Sequence, residues 1–238
     1  MNFVIPMAGL GSRFQNAGYA LPKPLIPAHG KTLLEWSIDS LPLELCTNLI
    51  VIALQEHCQR FPLIEFIEEK YKNLHPQILQ LNQPTNGQAE TVFLSQHLWD
   101  HSQELLIFNA DTAFISPSLT QTLRTHSSDG ILATFTADSP KYSYAQTNAL
   151  GIVTQTAEKI VISNQALNGL YHFTHTADFI DTFTHHQNNN LRYNNEFYIA
   201  PMYNYLIQQG KQFILHPIEQ NFILGTPEEL LQFQTPHF

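Results

Sequence analysis

Phe3-Val4-Ile5-Pro6-Met7 runs directly into Ala8-Gly9-Leu10-Gly11-Ser12-Arg13, and Pro22-Lys23-Pro24-Leu25 follows shortly after. The apolar run reads as a buried strand. The two glycines allow a sharp turn and a close approach of backbone to a ligand. Successive N–H groups in such a turn form an anion-binding concavity. Arg13 adds a planar fork of donors and Lys23 a compact point charge. Together these residues describe a pocket for a polyphosphate at the end of that strand.

Two familiar phosphate loops are excluded. A Walker loop ends in Gly-Lys-Ser/Thr, and none is present; a dinucleotide fingerprint needs a third glycine where this chain has Phe14. Two glycines alone would mark an ordinary turn. Gly-x-Gly-x-Arg-Phe followed by Pro-Lys-Pro-Leu resembles the nucleotide-binding segment of the sugar-phosphate nucleotidyltransferases, the pyrophosphorylases that make nucleotide sugars. The resemblance implies a three-layer, Rossmann-like nucleotidyltransferase fold with a mixed, mainly parallel central sheet. It also implies nucleotide contacts from Ala8, Gly9, Leu10 and Gly11.

Composition sets the outer bounds. A chain of 238 residues with 43% hydrophobic residues can bury a sizeable core as one domain or at most two. We read 1–238 as a single domain, with a nucleotide-binding half at 1–125 and a sugar-phosphate-binding half at 126–238. The net charge of −9 argues against a nucleic-acid partner, whose binder would be basic. With only 11 Lys and Arg, phosphate binding requires cations concentrated locally, as at Arg13, Lys23 and Lys31. Cys46 and Cys58 fit neither a metal motif nor a disulfide framework and are expected reduced, in or near the core. No stretch approaches a membrane span, and Arg13 interrupts the first apolar run too early for a signal peptide. The expected compartment is the cytoplasm, without membrane insertion; homo-oligomer formation is left open.

Strand and helix signals alternate through the first half. Thr32-Leu33-Leu34-Glu35 spells a capping box. Leu49 to Ala53 is a continuous apolar run, as in a strand buried on both faces. Glu56 to Tyr71 reads as helical with a break at Pro62. Gln77 to Leu81 reads as a strand, Gln88 to Trp99 as a helix and Leu105 to Phe108 as a strand. This alternation predicts a mainly parallel sheet in an α/β layered fold. The second half predicts strands at Gly130–Ala137, Gly151–Thr154, Lys159–Ser163, Leu167–Phe173 and Phe213–His216. Helices are expected over Asp178–Phe183 and Ile199–Ile207, with a last one capped by Thr226-Pro227-Glu228-Glu229. His185 to Asn190 reads as a solvated loop.

Ligands in open parallel sheets bind beyond the carboxyl ends of the strands. The Gly9 loop, Gln83 to Gly87, and Asn109 to Thr112 all fall at such ends. Asp111 follows a fully apolar strand and would face the same pocket as Arg13 and Lys23. Mg²⁺ takes one or two carboxylates plus substrate phosphate oxygens, and the resemblance implies that Asp111 carries this metal. Gln83-Pro84-Thr85-Asn86-Gly87-Gln88-Ala89 resembles the family segment that meets the base. By that resemblance Gln83 reads a pyrimidine edge, and Gly87 lets the backbone approach it. Further on, Gly151-Ile152-Val153, Ala157-Glu158-Lys159 and Asn168-Gly169-Leu170-Tyr171 resemble the family's substrate elements in order. Gly151, Glu158 and Asn168 would then contact the acceptor, and Lys159 would hold its phosphate; Ile160 stands where the family has proline.

Glu196 to Pro201 and Gly225-Thr226-Pro227-Glu228-Glu229 extend the resemblance over nearly the whole chain. Relatives place an aspartate just before that Gly-Thr, sharing the metal; here Leu224 precedes Gly225. The implied reaction joins an NTP, pyrimidine favoured, to a sugar 1-phosphate or small phosphorylated alcohol, releasing pyrophosphate. Arg13, Lys23, Asp111 and Lys159 are its catalytic residues. The subgroup with this C-terminal wording is found in capsule and surface-polysaccharide synthesis. Two other readings remain: a catalytically silent regulator that binds nucleotide sugar, and a glycosyltransferase on a similar sheet. The latter has no need for Gly-x-Gly-x-Arg with Pro-Lys-Pro.

Overall fold

The computed structural model describes residues 1–235. β1 (Asn2–Pro6) leads through the glycine loop to α1 (Ser12–Asn16), and the short β2 (Pro27–Ala28) and β3 (Lys31–Thr32) lead to α2 (Leu33–Asp39). Then come β4 (Asn48–Leu54), α3 (Gln55–Arg60), α4 (Leu63–Lys70), β5 (Gln77–Leu81), α5 (Gln88–Leu94), β6 (Leu105–Ile107) and β7 (Thr112–Ile115). After α6 (Leu119–Thr125) follow β8 (Gly130–Thr136), β9 (Tyr144–Thr147), β10 (Val153–Ala157) and β11 (Gln165–Phe173). The chain continues through α7 (Thr176–Asn188), α8 (Tyr203–Gln208), β12 (Phe213–Pro217), β13 (Gln220–Ile223) and α9 (Pro227–Gln234).

The main sheet runs β10-β9-β11-β6-β1-β4-β5, with β8 joining β11 to β12. β1 pairs in parallel with both β4 and β6, and β4 with β5. β11 enters antiparallel beside β6 and opens the mixed part of the sheet. Strands from both halves of the chain thus share one sheet.

Alternate side chains explain the continuous apolar runs. Val4, Ile50, Ile52, Leu105 and Ile107 face one buried cluster, with Ala89 and Val92 of α5, Phe179 and Phe183 of α7, and Tyr203 and Leu206 of α8. Phe3, Ile5, Leu49, Val51 and Leu106 face another, with Leu34 and Ile38 of α2, Leu63 and Ile67 of α4, and Leu119 and Leu123 of α6. Helices therefore cover both faces of the sheet, which is the expected three-layer α/β arrangement. A third, smaller cluster gathers Phe14, Ile26, Ala28, Leu33, Ala113, Leu224 and Leu230 beneath the β7–β13 ribbon.

The local signals for helix entry hold. Thr32 Oγ1 accepts from the Glu35 N–H while the Glu35 carboxylate accepts from the Thr32 N–H, completing the capping box. Thr226 caps α9 in the same way, accepting from the Glu229 N–H. Helix does break at Pro62, between α3 and α4.

Three expectations change, and one pairing was not expected. Lys159–Ser163 is not a strand: Lys159 takes a left-handed conformation at φ 54° and turns the chain out of β10. His185–Asn188 is not a loop but the last turn of α7. His186 is buried there, its Nδ1 2.9 Å from the Thr182 carbonyl, and His185 stacks on Tyr205. α5 ends at Leu94, and a tighter turn over Gln96–Leu98 completes that segment. Finally β7 and β13 pair outside the main sheet; they are short and carry no alternation long enough to read.

Candidate active site

The glycine loop leaves the carboxyl end of β1, and Asn109 to Asp111 leave that of β6, its parallel neighbour. Between them and the second half lies a cleft of two lobes. One, of about 470 Å³, is lined by Ala8, Gly9, Leu10, Gly11, Lys23, Gly87, Gln88 and Asp111. The other, of about 870 Å³, is lined by Arg13, Asp111, Lys141, Ser143, Glu158, Lys159, Asn168 and Glu228. Gln88, Asn109, Asp111 and Tyr198 belong to both, so the lobes meet at the end of β6.

In the first lobe the N–H groups of Gly9, Leu10 and Gly11 donate to no acceptor among the described residues. They remain free to meet an anion. Gly11 holds φ 65°, the left-handed geometry for which glycine is suited, and a Cβ there would stand 3.4 Å from the Lys23 Cβ. The loop and the Pro-Lys-Pro turn therefore fit against each other. Pro24 fixes the tight turn Lys23–Leu25, in which the Leu25 N–H donates to the Pro22 carbonyl at 2.9 Å. Lys23 reaches from this turn across the cleft: its Nζ lies 2.5 Å from Asp111 Oδ2 and 3.4 Å from the Gly225 carbonyl.

The second lobe is built by an irregularity in β11. Pairing with β8 shifts register between Leu167 and Tyr171, which lets Asn168 and Gly169 leave the regular ladder. Such bulges re-aim side chains beside active sites. Gly169 sits at φ 95°, and a Cβ there would fall 2.1 Å from Asn109 Nδ2, so a larger residue would strain the backbone and displace the Asn109 side chain. Asn168 is buried; its Oδ1 accepts from the Leu170 N–H at 3.0 Å, while its Nδ2 has no partner among the described residues. A buried amide donor without an acceptor has a strong need for one.

Glu158 is also buried, and burial raises its pKa against the opposing pull of its Ser143 hydrogen bond and of Lys159. Lys159 Nζ donates to the Tyr198 hydroxyl at 2.8 Å, lies 4.7 Å from that ring's centre, and stands 3.9 Å from Glu158 Oε1. Arg13 lines this lobe, exposed, and makes no ion pair among the described residues. Lys141, paired with Glu229 at 2.7 Å, is a further cation in the lobe; sequence reading missed it and the lining residues Tyr142 and Ser143. Their only signal is adjacency, in a polar loop entering β9.

Two expected contacts, Gln83 and Gly151, and the residue before Gly225 lie elsewhere. Gln83 is exposed and lines a neighbouring depression with Leu81, Asn82 and Glu90, while Pro84, Thr85, Gly87 and Gln88 of the same segment line the first lobe. Gly151 closes the turn between β9 and β10 at φ 77° and lines neither lobe; its glycine serves the hairpin. Leu224 does not face Asp111. It is buried in the third cluster, its N–H donating to the Asp111 carbonyl at 2.8 Å, and Ile223 is the residue that lines the lobe. Gly87 does line the cleft, yet its glycine is demanded by protein: a Cβ would stand 2.6 Å from the Phe197 N and O atoms.

A family model described as nucleotidyl transferase matches residues 3–226. The structure is similar to a nucleoside-diphosphate-sugar pyrophosphorylase from Vibrio cholerae RC9, with 34% identity, a TM-score of 0.84, and coverage of 98% of this chain and 99% of that one. It also shares its fold with a putative glucose-1-phosphate thymidylyltransferase from Bacillus anthracis, at 16% identity, a TM-score of 0.78, and coverage of 100% and 97%. The inositol-1-phosphate CTP transferase from T. maritima has the same fold at 13% identity, a TM-score of 0.74, and coverage of 100% and 97%. No curated protein sequence matches. The chain belongs to the nucleotidyl transferase family, among the sugar-phosphate nucleotidyltransferases. No helix among the described residues is long and apolar enough to cross a membrane.

Proposed function

We propose that the protein transfers a nucleotidyl group from a pyrimidine NTP to the phosphate of a sugar 1-phosphate or small phosphorylated alcohol. The observation that carries this reading is the meeting of two lobes at Asp111, one with free loop N–H groups and Lys23, the other with Arg13 and Lys159. An acceptor phosphate oxygen attacks the α-phosphorus, the bond from that phosphorus to the bridging oxygen breaks, and pyrophosphate leaves with the electron pair. Positioning and charge neutralisation carry such a reaction. Lys23, Arg13 and the loop N–H groups hold the triphosphate. Lys159, steadied by Tyr198, holds the attacking phosphate. Glu158 and Asn168 bond hydroxyls of the acceptor, the spare Asn168 Nδ2 donating.

In this reading residues 1–125 serve the nucleotide and 126–238 the acceptor, within one domain. Asp111 fits Mg²⁺: its carboxylate is a hard oxygen donor, a third exposed, lining both lobes. Bound there, Mg²⁺ would supply charge neutralisation on the phosphates. Pro84 to Gln88 frame the base, with Gln83 at the rim. The product is an activated unit for surface-polysaccharide synthesis in the cytoplasm. A panel of NTPs against sugar and alcohol phosphates, read by pyrophosphate release, tests the proposal. Mg²⁺-dependent release with one pyrimidine NTP is expected. No turnover with any pair, alongside tight binding of a nucleotide sugar, would make the protein a binding regulator instead.

A further inference from the structure

At the opposite end of β6 from the cleft, three side chains from separate elements converge. Glu104 immediately precedes β6, His126 follows α6, and His172 lies in β11, where it faces Leu106 of β6 and Ile131 of β8. One ligand atom from each lies within 4.8 Å of the other two. His172 Nε2 is 2.9 Å from Glu104 Oε2, and the two imidazole rings stand edge to face with centres 5.1 Å apart. None of these residues lines the cleft lobes.

The hydrogen bonds around His126 fix which nitrogen is available. Ser128 Oγ donates its single proton to the Gly130 carbonyl at 2.9 Å. Ser128 Oγ must then accept at its 3.1 Å contact with His126 Nδ1, so that nitrogen carries the proton. His126 Nε2 is left with its lone pair. Holding one ring nitrogen as a donor so that the other can ligate is the usual outer support of a metal-bound histidine. His172 is fully buried, so its ring orientation is set by packing. Its Nδ1 has no partner among the described residues; ligation through Nε2 moves the ring proton to that nitrogen, which then stands as a buried donor.

We propose that Glu104, His126 and His172 form a second, non-catalytic site for a borderline transition-metal cation such as Zn²⁺, with solvent completing the coordination. Two imidazoles and one carboxylate are a donor set for Zn²⁺ or its Co²⁺ stand-in, whereas Mg²⁺ and Ca²⁺ prefer all-oxygen ligands. An ion there would tie the start of β6 to β11 and the end of α6, three segments far apart in sequence. Its effect is on stability, through binding that only the folded chain offers.

Co²⁺ titration of the metal-stripped full chain, followed by visible d–d absorption, tests the site, with Zn²⁺ competition to rank affinity. One equivalent is expected to bind with a four-coordinate spectrum and to raise the melting temperature. Ser128→Ala should weaken binding about 10-fold, as losses of outer support do. Glu104→Gln and His126→Asn should abolish the spectrum and the thermal shift. Buried His172 is left unchanged so that folding is kept, and circular dichroism checks each variant. His185→Ala, which alters the other neighbouring histidine pair, should leave binding intact. No binding below about 100 µM Co²⁺ or Zn²⁺, Zn²⁺ displaced by equimolar Mg²⁺, or binding unchanged in both ligand variants would overturn the proposal.

Discussion

Replacing Lys23 by methionine separates its part in holding the fold from its part in handling phosphate. Methionine keeps an unbranched stem of similar reach, so packing beside Phe14, whose ring centre lies 5.5 Å from the ammonium, changes little. What is lost is the 2.5 Å ion pair with Asp111. A charge-assisted hydrogen bond is worth roughly 1.5–3 kcal/mol when well buried. Here the two side chains are 17% and 34% exposed, and the carboxylate left behind can rehydrate. The stability cost should therefore fall to about 1 kcal/mol. For catalysis, removing one preorganised donor aimed at developing charge costs about 10²–10³-fold in rate, or roughly 3–4 kcal/mol. The catalytic loss should exceed the stability loss severalfold. Pyrophosphate release gives the first and urea denaturation the second. A folded Lys23→Met protein with near wild-type kcat/KM would refute the phosphate role of the loop.

Leu224→Asp places a carboxylate among Phe14, Ile26, Leu33 and Leu230 and should cost about 3–5 kcal/mol, while Ile223→Asp, facing the cleft, should cost under about 1; denaturation midpoints of the two proteins compare them directly. Gly87→Ala combines φ 120° with contacts of 2.6 Å and should lose at least about 2 kcal/mol by thermal melting; a neutral result would mean the Phe197 segment yields freely. Glu158 titrates above the usual carboxylate range because it is buried. Since its folded pKa is raised, its contribution to stability is fully present below the unfolded value and is lost as pH rises through the folded one. Glu158→Gln should flatten that segment of the stability–pH curve, and an unchanged curve would count against the shift.

Phe3 to Arg13 was readable because local and global demands agree there. A strand buried on both faces is apolar throughout, and a turn at φ 65° packed against Lys23 favours glycine. The caps at Thr32 and Thr226 were readable because their hydrogen bonds are made within four residues. What escaped depends on partners distant in sequence. The bulge at Asn168 is defined against β8, the two four-residue strands β7 and β13 are defined by each other, and Gly87 answers to Phe197. Lys159 could be named as a candidate, but not its left-handed backbone or its hold on Tyr198. That Ile223 and not Leu224 lines the cleft has the same origin. Which side chain of a strand end faces the cleft is fixed by pairing with β7, where Ile223 lies opposite Thr112, and not by distance from Gly-Thr.

The cleft's three lysines have partners without a ligand. Lys23 is held by Asp111, Lys141 by Glu229 and Lys159 by Tyr198, each anchored from a different segment of the fold. A lysine side chain loses up to about 2 kcal/mol of rotamer freedom on being fixed. Here that cost is borne on folding, so an arriving phosphate need not order these chains at the moment of binding. The same pairing holds the carboxylates in the cleft, which lets an acidic protein present three fixed ammonium groups and the exposed Arg13 to a polyanion. Arg13 alone has no ion pair among the described residues to hold it, so its contribution must include the entropy of being ordered by the ligand itself.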